Sequence, residues 1–185
     1  MKSTSKLTQS VHVGSPGDSV YGGVVTPIYP SAAYDYENLV RYPRYYNTPN
    51  QLAVAQKMAA LENGEEALVF SSGMAAIMTS MMAMLRAGDH ILFQNELYGG
   101  THHAALNELN RYGISYDMVD AADPKNFERA IQKNTKVIYI ETPSNPLLRI
   151  TDIAAVARMA QKHGLVTMID NTFASPVNQN PIDLG

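Results

Sequence analysis

The sequence predicts an α/β fold, a mostly parallel sheet flanked by helices. Three observations predict it. From Pro49 onward, short apolar runs alternate with stretches of helical length and helical spacing. Most of the runs are apolar nearly throughout, as strands covered on both faces are. Small or polar residues follow several of them directly, and open α/β sheets bind ligands at the carboxyl ends of their strands.

The elements follow in order. Gln51 to Glu62 predicts a helix with Leu52, Ala55, Met58, Ala59 and Leu61 on or near one face, stopped at Asn63-Gly64. Ala67-Leu68-Val69-Phe70 predicts a short strand. Gly73 to Leu85 is an apolar helix ending at Arg86-Ala87-Gly88, and His90 to Phe93 is the next strand. Tyr98 to Tyr112 predicts one helix ending at Gly113, and Ser115 to Val119 alternates as a strand. Phe127 to Gln132 is a short helix, Val137 to Ile140 a strand of the buried type. Ile153 to His163 is a helix stopped by Gly164, and Leu165 to Ile169 a last apolar strand.

Residues 1–48 differ from this pattern. They carry Gly14, Pro16, Gly17, Gly22, Gly23, Pro27, Pro30 and Pro43 and little periodicity, so they predict an extended arm with turns. An arm of that length without its own core is expected to lie on the body of the domain or on a neighbouring subunit. Residues 49–185 are expected to form the body. The chain stops soon after an apparent sheet strand with no closing helix, which reads as a truncation.

Composition narrows the function. The 185 residues suffice for one domain with a real core. A net charge of −3 gives no reason to expect nucleic acid or an acidic membrane surface as partner. No stretch is apolar for long enough to span a bilayer, and Met1 to Ser10 have no signal-peptide core. The absence of cysteine excludes disulfides and thiolate metal sites and fits a reducing cytoplasm. The ten methionines read as adaptable packing.

Five motifs could carry chemistry. Ser71-Ser72-Gly73-Met74 runs from a strand into a helix, and free N–H groups at a helix start suit a phosphate. The same residues also fit an ordinary cap made by Ser72. Asp170 ends a buried strand, where a carboxylate needs a partner. A protonated pyridine nitrogen is one such partner; a metal, or the turn through Asn171 and Thr172, are others. Glu141-Thr142-Pro143-Ser144-Asn145-Pro146 ends the third strand with polar groups. Tyr98-Gly99-Gly100-Thr101 opens a helix, placing Tyr98 either to stack on an aromatic ligand or in the core beside a turn. Arg41-Tyr42-Pro43-Arg44 sits in the arm, as a phosphate-binding pair or a solvated loop. Dinucleotide and P-loop fingerprints, the G-x-S-x-G elbow and the H-E-x-x-H pattern are all missing, so a nucleotide, serine-hydrolase or metal site is disfavoured.

In this order and spacing the motifs resemble the Cys/Met-metabolism (transsulfuration) family of pyridoxal-phosphate (PLP) enzymes, whose large domain has the aspartate-aminotransferase-like type I fold. The resemblance runs from Gly22-Gly23-Val24-Val25-Thr26-Pro27-Ile28 through Asp170-Asn171-Thr172-Phe173. It implies PLP as cofactor and an amino-acid substrate. The implied reaction is elimination or replacement at Cγ or Cβ of a sulfur amino acid or an activated homoserine, as in cystathionine γ-synthase and the cystathionine lyases. O-acylhomoserine sulfhydrylase and methionine γ-lyase are the alternatives. Methionine γ-lyases typically carry cysteine two residues after the stacking tyrosine; here Gly100 stands there, which favours the others.

The resemblance also assigns roles. Gly73 and Met74 donate backbone N–H groups to the phosphate. Tyr42 and Arg44 reach it in trans from a neighbouring subunit, which makes a homodimer or homotetramer the expected assembly. Tyr98 stacks on the pyridine ring and shares in proton transfer, Asp170 pairs with the ring nitrogen, Asn145 lies near the ring hydroxyl, and Glu141 supports. One departure matters. The family's Schiff-base lysine has no match among Lys2, Lys6, Lys57, Lys125, Lys133, Lys136 and Lys162. By the resemblance it is expected beyond Gly185, with the rest of the phosphate cup, the carboxylate-binding arginine and the C-terminal domain. A non-catalytic fragment or assembly module is the reading from a different class.

Overall fold

The computed structural model describes residues 5–35, 37 and 40–185. The start of the expected arm, 1–4, and its Tyr36, Asn38 and Leu39 lie outside the described residues. The chain divides into two compact units, 1–69 and 70–185.

Among the described residues of the first unit, α1 (Lys6–His12) and α2 (Pro49–Glu62) are the α-helices, and Pro43–Tyr45 forms a 3-10 turn. Ser5 caps α1 through Thr8 N–H, and Gln51 Oε1 accepts from the Thr48 hydroxyl to close the first turn of α2. The segment between them runs along α2. The Asn50 side chain binds it on both sides, accepting from Tyr29 N–H and donating to the Pro27 carbonyl, each at 2.8 Å. Gly14 makes that approach possible. Its φ is +70°, and a Cβ there would sit 2.1 Å from the Ala53 carbonyl oxygen. Helix α2 stops as expected, with Asn63 in the left-handed region and Gly64 N–H returning to the Ala59 carbonyl.

The second unit holds a four-stranded sheet. Strands β1 (His90–Gln94), β2 (Ser115–Val119), β3 (Thr135–Glu141) and β4 (Val166–Asp170) lie in the order β2-β1-β3-β4, and all pairs are parallel. Alternate residues build two cores. On one face Ile91, Phe93, Val137 and Tyr139 pack with Met81 of α3 (Gly73–Met84) and Ala105 of α4 (Gly99–Asn107). On the other, Leu92, Ile138 and Ile140 pack with Phe127 of α5 (Lys125–Ala130) and Val156 and Ala160 of α6 (Ile153–Lys162). Burying each of the larger side chains stabilises by about 1.5–3 kcal/mol.

Two expectations need correction. Ala67–Phe70 forms no strand, and Leu68 is 66% exposed. A four-residue apolar run carries pairing propensity but no information on whether a sheet edge is within reach. The expected helix from Tyr98 to Tyr112 breaks at Glu108 into α4 and a 3-10 turn, Leu109–Tyr112. Tyr98 therefore precedes the helix as its cap residue. A short helix, α7 (Ser175–Asn178), and a 3-10 turn at Pro181–Leu184 follow β4.

Candidate functional site

From β1 the chain crosses to β2 on one side and then returns to β3 on the other. A doubly wound sheet opens its ligand crevice at such a reversal, beyond the carboxyl ends of the strands. A hollow of about 330 Å³ lies in that region, lined among others by Gly73, Met74, Tyr98, Glu141, Asn145 and Asp170.

The start of α3 supplies one wall. Ser72 Oγ accepts from Ala75 N–H at 3.1 Å, so it is the helix cap. That bond satisfies the third N–H of the helix. The N–H groups of Gly73 and Met74 keep no acceptor among the described residues, and the positive end of the helix lies behind them. The cap reading of this motif is correct, and the cap leaves two N–H groups at the helix start for the other. Gly73 has open space where a Cβ would stand.

The strand ends supply the opposite chemistry. Glu141 and Asp170 are register partners across β3 and β4, so their Cα atoms are about 5 Å apart. They lie two residues beyond Tyr139 and Met168 and share the face that α3 and α4 cover. Asp170 Oδ1 accepts from Thr172 N–H at 3.0 Å and from the Thr172 hydroxyl. Its Oδ2 accepts from the Tyr139 hydroxyl at 3.5 Å. The turn-capping reading of Asp170 is therefore correct for one oxygen only. Burial, with Asp170 nearby, raises the Tyr139 pKa far above the usual phenol value, so Tyr139 stays a neutral donor.

Glu141 is 4% exposed. Its Oε2 accepts from Tyr98 N–H at 2.8 Å and its Oε1 from Asn145 N–H at 2.9 Å. Burial raises its pKa, against the two N–H groups that favour the charged form; Asp170 adds to the rise. Gln94 holds the Glu141 backbone like a neighbouring peptide. It accepts from Glu141 N–H at 2.9 Å and donates to the Glu141 carbonyl at 2.8 Å.

Tyr98 is 44% exposed, so it is not a core tyrosine. Its ring folds back over the first turn of α4. A Cβ on Gly100 would lie 2.6 Å from the ring and 2.7 Å from the Met74 sulfur. Tyr42 and Arg44 belong to the first unit and line a hollow of their own with Ala32, Pro43, Tyr46 and Gln51. Arg41 is engaged with the Asn47 carbonyl; Arg44 has no bonding partner among the described residues. No lysine among the described residues lines the site hollow, and no basic side chain stands among its lining residues. No cluster of His, Cys, Asp and Glu that could hold a metal occurs among the described residues, and no described helix is long and apolar enough to cross a membrane.

Sequence reasoning missed Tyr139 and Gln94 and understated Glu141. The signal available for Glu141 was the one used for Asp170, a carboxylate ending an apolar strand.

A parallel sheet with helices on both faces, a bare helix start and carboxylates at the strand ends define an α/β protein with a candidate ligand site at the carboxyl edge of its sheet. The chain belongs to the Cys/Met metabolism PLP-dependent enzyme family, matching it over residues 7–185. It is 42% identical over 182 residues, 96% of its length, to a probable cystathionine γ-synthase of Herpetosiphon aurantiacus, covering 57% of that protein. It is 41% identical to a cystathionine γ-lyase of Bacillus subtilis, covering 97% of this chain and 48% of that one. Among solved structures it is similar to metB from Corynebacterium glutamicum (TM-score 0.94, 39% identity, 99% of this chain and 49% of that one). It is also similar to cystathionine γ-lyase from Lactobacillus plantarum complexed with L-serine (TM-score 0.93, 42% identity, 98% and 48%). The chain spans about half the length of the curated relatives it matches.

Proposed function

We propose that this chain forms the cofactor-binding part of a PLP enzyme that eliminates or replaces a group at Cγ or Cβ of a sulfur amino acid or an activated homoserine, in the manner of cystathionine γ-synthase and the cystathionine lyases. The observation that carries the reading is one hollow combining bare N–H groups at a helix start with an acidic strand end and no basic side chain. PLP has the complementary parts, a phosphate and a pyridine nitrogen that a carboxylate keeps protonated. The cofactor supplies an electron sink for charge developing on the substrate carbons.

The residues divide the work. Gly73 and Met74 bind the phosphate through N–H groups. Asp170 turns Oδ2 to the ring nitrogen while Thr172 fixes its other oxygen. Tyr98 covers the ring and moves protons at the reacting carbons, and Asn145 faces the ring hydroxyl. Tyr42 and Arg44 reach the phosphate of a neighbouring subunit, which makes the protein a homodimer or homotetramer; the Arg44 guanidinium has no bonding partner among the described residues. The absence of cysteine supports a reducing cytoplasm as its place. Gly100 supports the synthase, cystathionine lyase or sulfhydrylase reactions over methionine γ-lyase, which typically carries cysteine at that position.

The test is calorimetric titration with pyridoxamine 5′-phosphate, which has the ring and phosphate but no aldehyde for surface lysines to capture. Saturable binding at one site per chain, lost on Asp170→Ala, is the expected result. Equal binding by both proteins contradicts the reading.

A further inference from the structure

The buried Glu141 carboxylate has no basic side chain as partner among the described residues. A buried carboxylate is unfavourable unless its oxygens are bonded, and here both are bonded to backbone N–H groups. Those two N–H groups belong to Tyr98 and Asn145, which line the hollow on segments that follow different strands. One serine or asparagine oxygen would hold one segment; the two oxygens of a carboxylate hold both at a fixed separation. The Glu141 backbone is itself clamped by Gln94, whose amide also donates to the Glu96 carbonyl at 2.6 Å. A continuous bonded path therefore links β1, β3, the cap of α4 and the Asn145 loop.

We infer that Glu141 is a positioning residue, a bracket that ties the ring-covering Tyr98 to Asn145 across the hollow. The inference rests on the proposed cofactor, and its geometry stands apart from it. Asp170 and Tyr139 are the titratable side chains that face Glu141. Tyr139 is neutral in the acid range, and the Asp170 carboxylate is the acidic neighbour among the described residues that acts on Glu141.

The experiment follows the amide protons of Tyr98 and Asn145 by NMR in the full chain as pH is lowered. Both are expected to titrate with one shared midpoint above the ordinary glutamate value of 4.5. Asp170→Asn should lower that midpoint and keep it shared; Glu141→Gln should abolish it at both amides. Separate midpoints, or titration that survives Glu141→Gln, overturn the bracket. Pyridoxamine 5′-phosphate affinity then separates positioning from mere stability. Glu141→Gln should weaken binding about tenfold, as expected for a buried donor left unpaired, and by much less in a Tyr98→Ala background. An equal loss in both backgrounds overturns the positioning role. A shared midpoint in a protein that binds no pyridoxamine phosphate overturns the cofactor reading, and the positioning role with it, while the bracket remains.

Discussion

Glu141 and Asp170 occupy one rung of the β3–β4 pair, and their carboxylates serve opposite directions. Glu141 turns inward and is consumed by two backbone N–H groups, whereas among the described residues Asp170 Oδ2 has a single long contact, from Tyr139. Two carboxylates on neighbouring strands repel. A cation placed against Asp170 relieves that repulsion and lets Glu141 ionise more readily. The pairing thus favours a ligand that is positive at this end.

Asp170 should be the residue most sensitive to loss of charge. We expect Asp170→Asn to weaken pyridoxamine phosphate binding by about tenfold to a hundredfold, the range for a hydrogen bond to a charged group. Thr172→Val should weaken it less, because only one of two bonds to Oδ1 goes. Calorimetry on the three proteins checks the ranking, and a larger effect at Thr172 would overturn it.

Gly100→Ala places a methyl group against the Tyr98 ring and the Met74 side chain. Both can swing away, since the ring is half-exposed and methionine is flexible. The expected stability loss is about 1 kcal/mol or less, because the crowding is relieved at the surface. The cofactor affinity should fall severalfold, because the displaced ring no longer covers the hollow. Urea unfolding and calorimetry read the two effects separately. Unchanged affinity would show that the ring position does not depend on Gly100.

Gln94→Ala leaves the N–H and C=O of Glu141 unpaired inside the sheet. Each such group costs about 1–3 kcal/mol, so the substitution should rank among the most destabilising outside the two cores. Urea unfolding compared with Asn134→Ala, which removes one exposed bond to the Gly88 carbonyl, provides the scale.

His90 gives the fold an acid-side weakness. It is fully buried, its Nδ1 bonds the Thr135 hydroxyl at 2.8 Å, and burial lowers its pKa below 6.5 although Asp117 opposes the shift. The folded protein therefore binds fewer protons here than the unfolded chain. The stabilisation is full above about pH 6.5 and is lost as pH falls below it toward the folded pKa. Glu141 has the opposite sign: its pKa is raised, so its contribution is lost as pH rises from about 4.5 through its folded pKa. The thermal midpoint of His90→Asn should depend less on pH between about 6.5 and 5 than that of the unsubstituted protein. An unchanged slope would assign the acid sensitivity elsewhere.

Much of the site was legible because it sits at ends of elements. Ser72-Gly73-Met74 reads as a helix start from small residues after an apolar run, and Asp170 stands out as a charge closing a strand. The Glu141 bracket was not legible. Its partners Tyr98 and Asn145 are 43 and 4 residues away, and only the β1–β3 pairing brings Tyr98 to it. Gln94 looks in sequence like a polar strand terminus; its role as a substitute peptide depends on β3 running beside it. The misread strand at Ala67–Phe70 has the same origin, since apolar content does not say which edge is available.

The most direct test of the central claim is to map pyridoxamine 5′-phosphate onto the backbone amide spectrum of the protein. The account predicts that the largest shifts fall on Gly73 and Met74, with further shifts at Tyr98, Asn145 and Thr172. Shifts confined to other surfaces, or saturation that leaves Gly73 and Met74 unmoved, would contradict it.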